Sequence, residues 1–152
     1  MNPSVRVVIP GNEADRIRRW GRRLHPEEAC GLLLGHWRDD EGGRYCEAGV
    51  VRAVRARNRH AQPRIRYDLH PRDFLRIERR AKAGALDVVG IWHSHPDGGT
   101  QASPTDVEEA WRGWIYLIAG MAAEGADDLK AWLKVASGEM ESVGLVIEPG
   151  RP

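Results

Sequence analysis

The sequence predicts an α+β (α/β-like) fold: one domain over residues 1–152, built on a mixed, curved β-sheet flanked by helices. Three observations lead there. A length of 152 residues with 41% hydrophobic and 30% charged residues suits one hydrophobic core in an ordinary soluble domain. Short apolar runs alternate with segments of helical period from end to end, without internal repeat or low-complexity stretch. The apolar run from Leu86 to Trp92 passes into His93 and His95 and stops at Pro96, which marks a central strand ending in a polar site.

The elements follow in order. Val5 to Ile9 reads as a first strand, closed by Pro10-Gly11. Asn12 is a plausible N-cap, Glu13 and Asp15 suit a first turn, and Ala14, Ile17, Trp20 and Leu24 recur at helical spacing, so 13–24 is an amphipathic helix ended by Pro26. Glu27 to Gly35 is apolar at odd and even positions alike, as in a strand buried on both faces, with the carboxylate of Glu28 at its mouth. Asp39 to Gly43 is a turn, and Arg44 to Val54 returns as the second strand of a hairpin.

Arg55 to Arg64 reads as a polar loop, and the alternation of Ile65, Tyr67 and Leu69 as a short strand. Pro71 is placed for the first turn of a helix that Phe74, Ile77 and Ala81 face inward and Gly84 closes. Leu86 to His95 is the central strand, and 96–102 a loop. Ser103-Pro104-Thr105-Asp106 is a helix start with a capping box, continued by Val107, Ala110, Trp111 and Trp114. Runs at 114–119, 129–135 and 143–147 complete a sheet of six to eight strands.

Charge is unevenly distributed. Residues 1–82 carry a net +8 and residues 83–152 a net −7, although the whole chain is +1. Arginine outnumbers lysine 20 to 3, which fits a GC-rich bacterial genome. The cluster Arg52, Arg55, Arg57, Arg59, Arg64 and Arg66 is either a solvated face or a patch for an acidic partner. Nucleic acid is not favoured, because no binding motif accompanies the arginines. Cys30 and Cys46 are too few for a disulfide framework and form no Cys-x-x-Cys pair. No signal-peptide core and no run of membrane-spanning length occurs, so the expected setting is cytoplasmic and reducing, with no membrane partner.

On a strand, side chains at i and i+2 leave on one face. His93 and His95 therefore point the same way and Ser94 the other. Two imidazoles and the carboxylate of Asp106 form a standard three-ligand set for catalytic zinc, with one position left for water. Glu28 is the candidate base and Ser103 the candidate oxyanion donor. Each feature also has a plain structural explanation: a polar strand end, a capping box, a surface acid. Their conjunction favours chemistry, because burying two unpartnered imidazoles is costly. Other metal sites fit less well. The His-x-His of an amidohydrolase opens a barrel of about 250 residues. A cupin needs a later histidine, and none follows His95. The zincin His-Glu-x-x-His is absent. A two-histidine, one-carboxylate iron site remains chemically open.

Glu28-x-Cys30-Gly31, then His93-Ser94-His95, seven residues beginning with Pro96, Ser103, two residues and Asp106, resembles the full signature of the JAMM (MPN+) metallopeptidases, in particular their small prokaryotic members. The Cys-Gly-Leu-Leu-Leu-Gly run, the Asn58 loop, Tyr67-Asp68 and Trp114 to Ile118 extend the resemblance over about Val5 to Ile147. It implies a single MPN-type domain and the cofactor Zn2+, held by His93, His95 and Asp106. It implies that Glu28 accepts the attacking water's proton and returns it to the leaving amine, while Ser103 stabilises the oxyanion. Family members cleave peptide or isopeptide bonds at the C-terminal tails of ubiquitin-fold proteins, the tail lying extended as in strand addition. The expected partner is thus a ubiquitin-like protein or sulfur-carrier protein, met by a monomer or homodimer. A non-catalytic MPN-type interaction module is the alternative.

Overall fold

A computed structural model describes residues 4–39, 41–42, 45–121 and 128–149. Seven strands and three helices occur among them, in the order β1 (Ser4–Pro10), α1 (Gly11–Leu24), β2 (Cys30–Asp39), β3 (Tyr45–Ala56), α2 (Pro71–Ala83), β4 (Asp87–His95), α3 (Pro104–Glu109), β5 (Ile115–Gly120), β6 (Asp128–Lys134) and β7 (Met140–Glu148). The sheet is mixed, as expected, but it is not an open curve. Its strands form a closed barrel in the order β1-β3-β2-β4-β5-β6-β7. Closure comes from parallel pairing of the first and last strands, Arg6 opposite Gly144 through Pro10 opposite Glu148.

The ring closes around α1. Ala14 and Ile17 of that helix are fully buried in a cluster with Val7, Leu33, Trp92, Leu117 and Ala131, contributed by five different strands. Trp20 stacks on Trp92 with ring centroids 5.4 Å apart, and the Trp92 Nε1–H donates to the Val54 carbonyl at 3.1 Å. The outer face of β2, β4 and β5 carries a second cluster, in which Ile77 and Ala81 of α2 meet Leu32, Ile91 and Ile118. The middle of the barrel is tight. A Cβ added at Gly31 would collide with the Val54 carbonyl, and one at Gly90 with the Ile115 carbonyl.

Several local expectations change. The N-cap of α1 is Pro10, not Asn12. Asn12 therefore lies inside the first turn, and buried Glu13 reaches across to accept from the Ala53 N–H at 2.9 Å. β2 begins at Cys30 rather than Glu27 and runs on to Asp39, with only its first six residues buried. The turn expected at 39–43 falls partly outside the described residues. Ile65, Tyr67 and Leu69 do not form a strand. They belong to a loop fastened by one bridge, Asn58 to Leu69. α3 stops at Glu109, because the Trp111 N–H donates to the Tyr116 hydroxyl at 2.7 Å instead of continuing the helix. The Pro71 and Ser103 helix starts stand as expected. No helix is long and apolar enough to cross a membrane.

Candidate metal centre

The site is assembled by strand register. β2 and β4 are antiparallel, with Cys30 opposite His93. One step further, Ala29 and Ser94 exchange bonds: the Ala29 N–H donates to Ser94 Oγ at 2.8 Å and the Ser94 N–H to the Ala29 carbonyl at 2.9 Å. Continuing the register sets Glu28 across from His95. Facing residues of an antiparallel pair share a side of the sheet, so Glu28, Cys30, His93 and His95 lie together and Ser94 is spent on the opposite face. The parity argument from sequence is correct, and register supplies the partner it lacked.

α3 brings the remaining groups. The Ser103 N–H donates to Asp106 Oδ2 at 2.9 Å, and the Asp106 N–H donates to Ser103 Oγ at 3.0 Å. This reciprocal box aims the carboxylate at the histidines. Asp106 Oδ2 lies 3.3 Å from His93 Nε2 and 3.1 Å from His95 Nε2, and the two Nε2 atoms are 3.1 Å apart. His93 is fully buried and its Nδ1 has no hydrogen-bond partner. All of its polar interactions are therefore made at Nε2.

These distances fit a zinc ion. Tetrahedral ligands about 2.0–2.1 Å from zinc stand about 3.3 Å from one another. The three atoms form one face of such a tetrahedron. Two facing imidazole nitrogens share at most one proton, whereas a cation satisfies both lone pairs and the carboxylate together.

A second carboxylate competes on proximity alone, since Glu28 groups with His93 and His95 with ligand atoms within 4.8 Å of one another. The environments separate the two acids. Burial raises the Asp106 carboxyl, but bonds from both histidines outweigh it and hold the pKa well below the usual range. Glu28 is 4% exposed, and burial pushes its carboxyl up to about 7 against the pull of His95, with Asp106 and Asp97 adding to the rise. A metal ligand must be deprotonated, while a proton carrier works best near neutrality. Burial lowers the His93 pKa. For His95 burial also acts downward, but the bond to Asp106 prevails and the value rises. Buried Cys30 is an inert thiol, its pKa pushed up to about 12 by burial and by Glu28.

One open space adjoins the triad and a second lies beyond Tyr67. A pocket of about 280 Å³ is lined by Glu28, His95 and Ser103 together with Arg64, Ile65 and the 96–101 loop. A larger one, about 730 Å³, is lined by Tyr67, Phe74, Leu75, Ile91, Trp111 and Tyr116 among others. Tyr67 forms the wall between the apolar pocket and the face that carries His93 and His95, its ring stacked on His93 at 4.4 Å.

All five sequence-predicted residues come together. Two residues were given no site role by sequence reasoning. One is Tyr67, whose alternation with Ile65 and Leu69 looked like a strand. The other is Asn58, which donates through Nδ2 to the Glu28 and Arg66 carbonyls, both at 3.0 Å, and accepts at Oδ1 from the His60 and Asp68 N–H groups, both at 3.0 Å. With the Glu28 N–H donating to the Pro63 carbonyl at 2.6 Å, the loop holds the backbone of Glu28 from both sides. The family resemblance included the Asn58 loop and Tyr67-Asp68 but assigned neither residue a role.

His93 is buried and His95 and Asp106 partly so, with Glu28 just ahead of the neighbouring strand, a donor set of the kind that could hold a metal ion. Residues 12–134 match the family described as prokaryotic homologs of the JAB domain, and the chain belongs to that family. A desampylase from Haloferax volcanii is 37% identical over 61% of this chain, the match spanning 62% of that relative's length. A probable TtuB-protein conjugate cleaving protease from Thermus thermophilus is 29% identical over 93% of this chain and 82% of its own length. A solution structure from Desulfitobacterium hafniense shares the fold, with a TM-score of 0.80 over 94% of this chain and 93% of its own at 23% identity. Another, from Salinibacter ruber, has a TM-score of 0.67 at 34% identity, covering 93% and 90%.

Proposed function

We propose that the chain is a zinc-dependent hydrolase that cleaves a peptide or isopeptide bond at the C-terminal tail of a ubiquitin-like protein. The observation that carries this reading is the convergence of His93, His95 and Asp106 within 3.1–3.3 Å of one another. The register of β2 against β4, which sets Glu28 across from His95, supports it. The names of the relatives supply the substrate class: two are called desampylases and one is named for cleaving TtuB-protein conjugates. An interaction module without catalysis is disfavoured, since every side chain of the constellation is present.

His93, His95 and Asp106 would hold the metal. When bound, zinc supplies a Lewis acid that lets water be deprotonated near pH 7. Glu28 takes the proton of the attacking water and returns it to the departing amine. The Ser103 oxygen already accepts from the Asp106 N–H, so its own proton is free for the developing oxyanion. The small pocket, about 280 Å³, is where the narrow end of a tail would enter. It is walled by Arg64, Ile65 and the 96–101 loop, so the tail runs against these loops.

Metal analysis, with cleavage of a TtuB-type conjugate, tests the reading. Purified protein is expected to hold about one zinc per chain, as a three-ligand catalytic site requires. Glu28→Gln should keep the zinc and lose about 10²–10⁴-fold in kcat. Asp106→Ala should lose both metal and activity. Normal cleavage by Glu28→Gln would remove the assigned base.

A further inference from the structure

α2 carries a charged stripe that neither the core nor the metal centre uses. Arg72, Leu75, Arg76, Arg79 and Arg80 line one groove of about 380 Å³ along its exposed side. Their spacing is i, i+3, i+4, i+7 and i+8, so they lie on one face of the helix. Arg76 shares Asp73 with Arg57, at 3.3 and 2.9 Å respectively. Arg72, Arg79 and Arg80 have no ion pair among the described residues. Like charges one turn apart repel, so three of the four arginines are uncompensated among the described residues. Leu75, 51% exposed, sits in the middle of it and also lines the 730 Å³ apolar pocket. The far wall of that pocket is Tyr67, stacked on His93. A continuous surface thus leads from the arginines across Leu75, Phe74 and half-exposed Trp111 to the metal-binding face.

We propose that this face of α2 docks the acidic surface of the ubiquitin-like protein whose tail enters the site. The proposal rests on the hydrolase reading only for the identity of that partner. Arginines around an exposed leucine match a partner surface in which acids surround an apolar contact. The groove's continuity with the candidate site lets one protein occupy both at once. Nucleic acid would need only the charges and would leave Leu75 and the apolar pocket without a role.

The test separates docking from cleavage. A ubiquitin-fold domain with an acid-rich face is labelled and titrated with wild type and with Arg72→Glu/Arg79→Glu, whose side chains hold nothing in the fold. Coincident thermal melts establish that the variant is folded, and Arg72→Gln/Arg79→Gln serves if it is not. Wild type should bind in a salt-sensitive manner, and charge reversal should weaken binding about ten-fold or more. In the cleavage arm, one tail and leaving group are presented on that domain and as a free peptide. Reversal should raise KM for the domain substrate and leave the peptide unchanged.

Unchanged binding, equal losses on both substrates, or equal affinity for a domain with neutralised acids would overturn the proposal. So would a wild type that ignores the domain and binds an oligonucleotide through these arginines. A wild type that binds the domain and cleaves neither substrate would refute the hydrolase reading and leave the docking surface standing.

Discussion

Asn58→Ala offers a direct test of how the site is held. The substitution removes four hydrogen bonds, two donated and two accepted. They are not equivalent. The Glu28 carbonyl belongs to a buried residue, and an acceptor left unsatisfied there costs about 1–3 kcal/mol. Arg66 and Asp68 are exposed and His60 is half-buried, so water replaces much of what those three bonds contribute. The sum is about 2–3 kcal/mol, against about 4 kcal/mol if every bond counted in full. For a domain of this size that corresponds to a fall in Tm of about 4–12 °C. Thermal unfolding followed by circular dichroism measures it. Asn58→Asp is the informative companion, because it keeps the acceptor used by the His60 and Asp68 N–H groups and loses the donor used by the Glu28 and Arg66 carbonyls. If the loop anchors Glu28, Asn58→Asp should reduce cleavage about as much as alanine does while melting differently. A Tm shift under about 2 °C for alanine, below 1 kcal/mol on the same scale, would refute the reasoning.

Three more expectations follow from the fold. Asp73 is buried, accepts from the Arg57 N–H at 2.8 Å, and pairs with the Arg57 guanidinium; its bonds to Arg57 outweigh burial and hold its pKa well below the carboxylate range. A carboxylate lowered on folding stabilises fully above its unfolded value of about 4 and loses that contribution as pH falls through the folded one. Asp73→Asn should therefore melt below wild type at neutral pH and converge with it in acid, and a gap that stays constant to about pH 2 would contradict the linkage. Gly90→Ala forces a Cβ onto the Ile115 backbone and should destabilise by about 3 kcal/mol in a denaturant titration; near-neutral behaviour would mean the strands part easily. Lys134 is buried and donates from Nζ to the Val107 carbonyl at 2.6 Å, holding the last turn of the helix that carries Ser103 and Asp106. Lys134→Met should weaken zinc binding about ten-fold in a chelator competition, with Lys134→Arg recovering part of it; unchanged affinity would show that the capping box orients Asp106 unaided.

The candidate site was more legible than the barrel. His93, His95, Ser103 and Asp106 lie within 14 consecutive residues, so strand parity and a capping box suffice to group them. Glu28 is 65 residues from His93; it was singled out as an acid at the mouth of a buried strand, and resemblance detailed its role, since nothing local specifies its register. Closure of the ring between β1 and β7 is beyond local pattern altogether. Two apolar runs at opposite ends of a chain carry no mark of whom they pair with. Alternation over Ile65 to Leu69 misled because five residues can alternate in a loop whose bonds go to the Asn58 side chain. The helix expected to include Trp111 and Trp114 ended early because a capping box governs where a helix begins, not where it stops. Ala110 is already extended, and the Trp111 N–H is taken by the Tyr116 hydroxyl.

The closed ring also sets when this protein can finish folding. α1 is made second, yet Val143 and Leu145 of β7 help cover it, and β1 waits for a neighbour about 138 residues downstream. A chain growing on the ribosome can pair β1 with β3 early, but must carry an incompletely covered amphipathic helix and a first strand paired on one side only until its last strand emerges. Long-range pairing of this kind slows folding and leaves apolar surface open to misassembly in the interval. Nascent chains halted before β7 are the form most in need of a chaperone, because the pair that closes the ring is then missing.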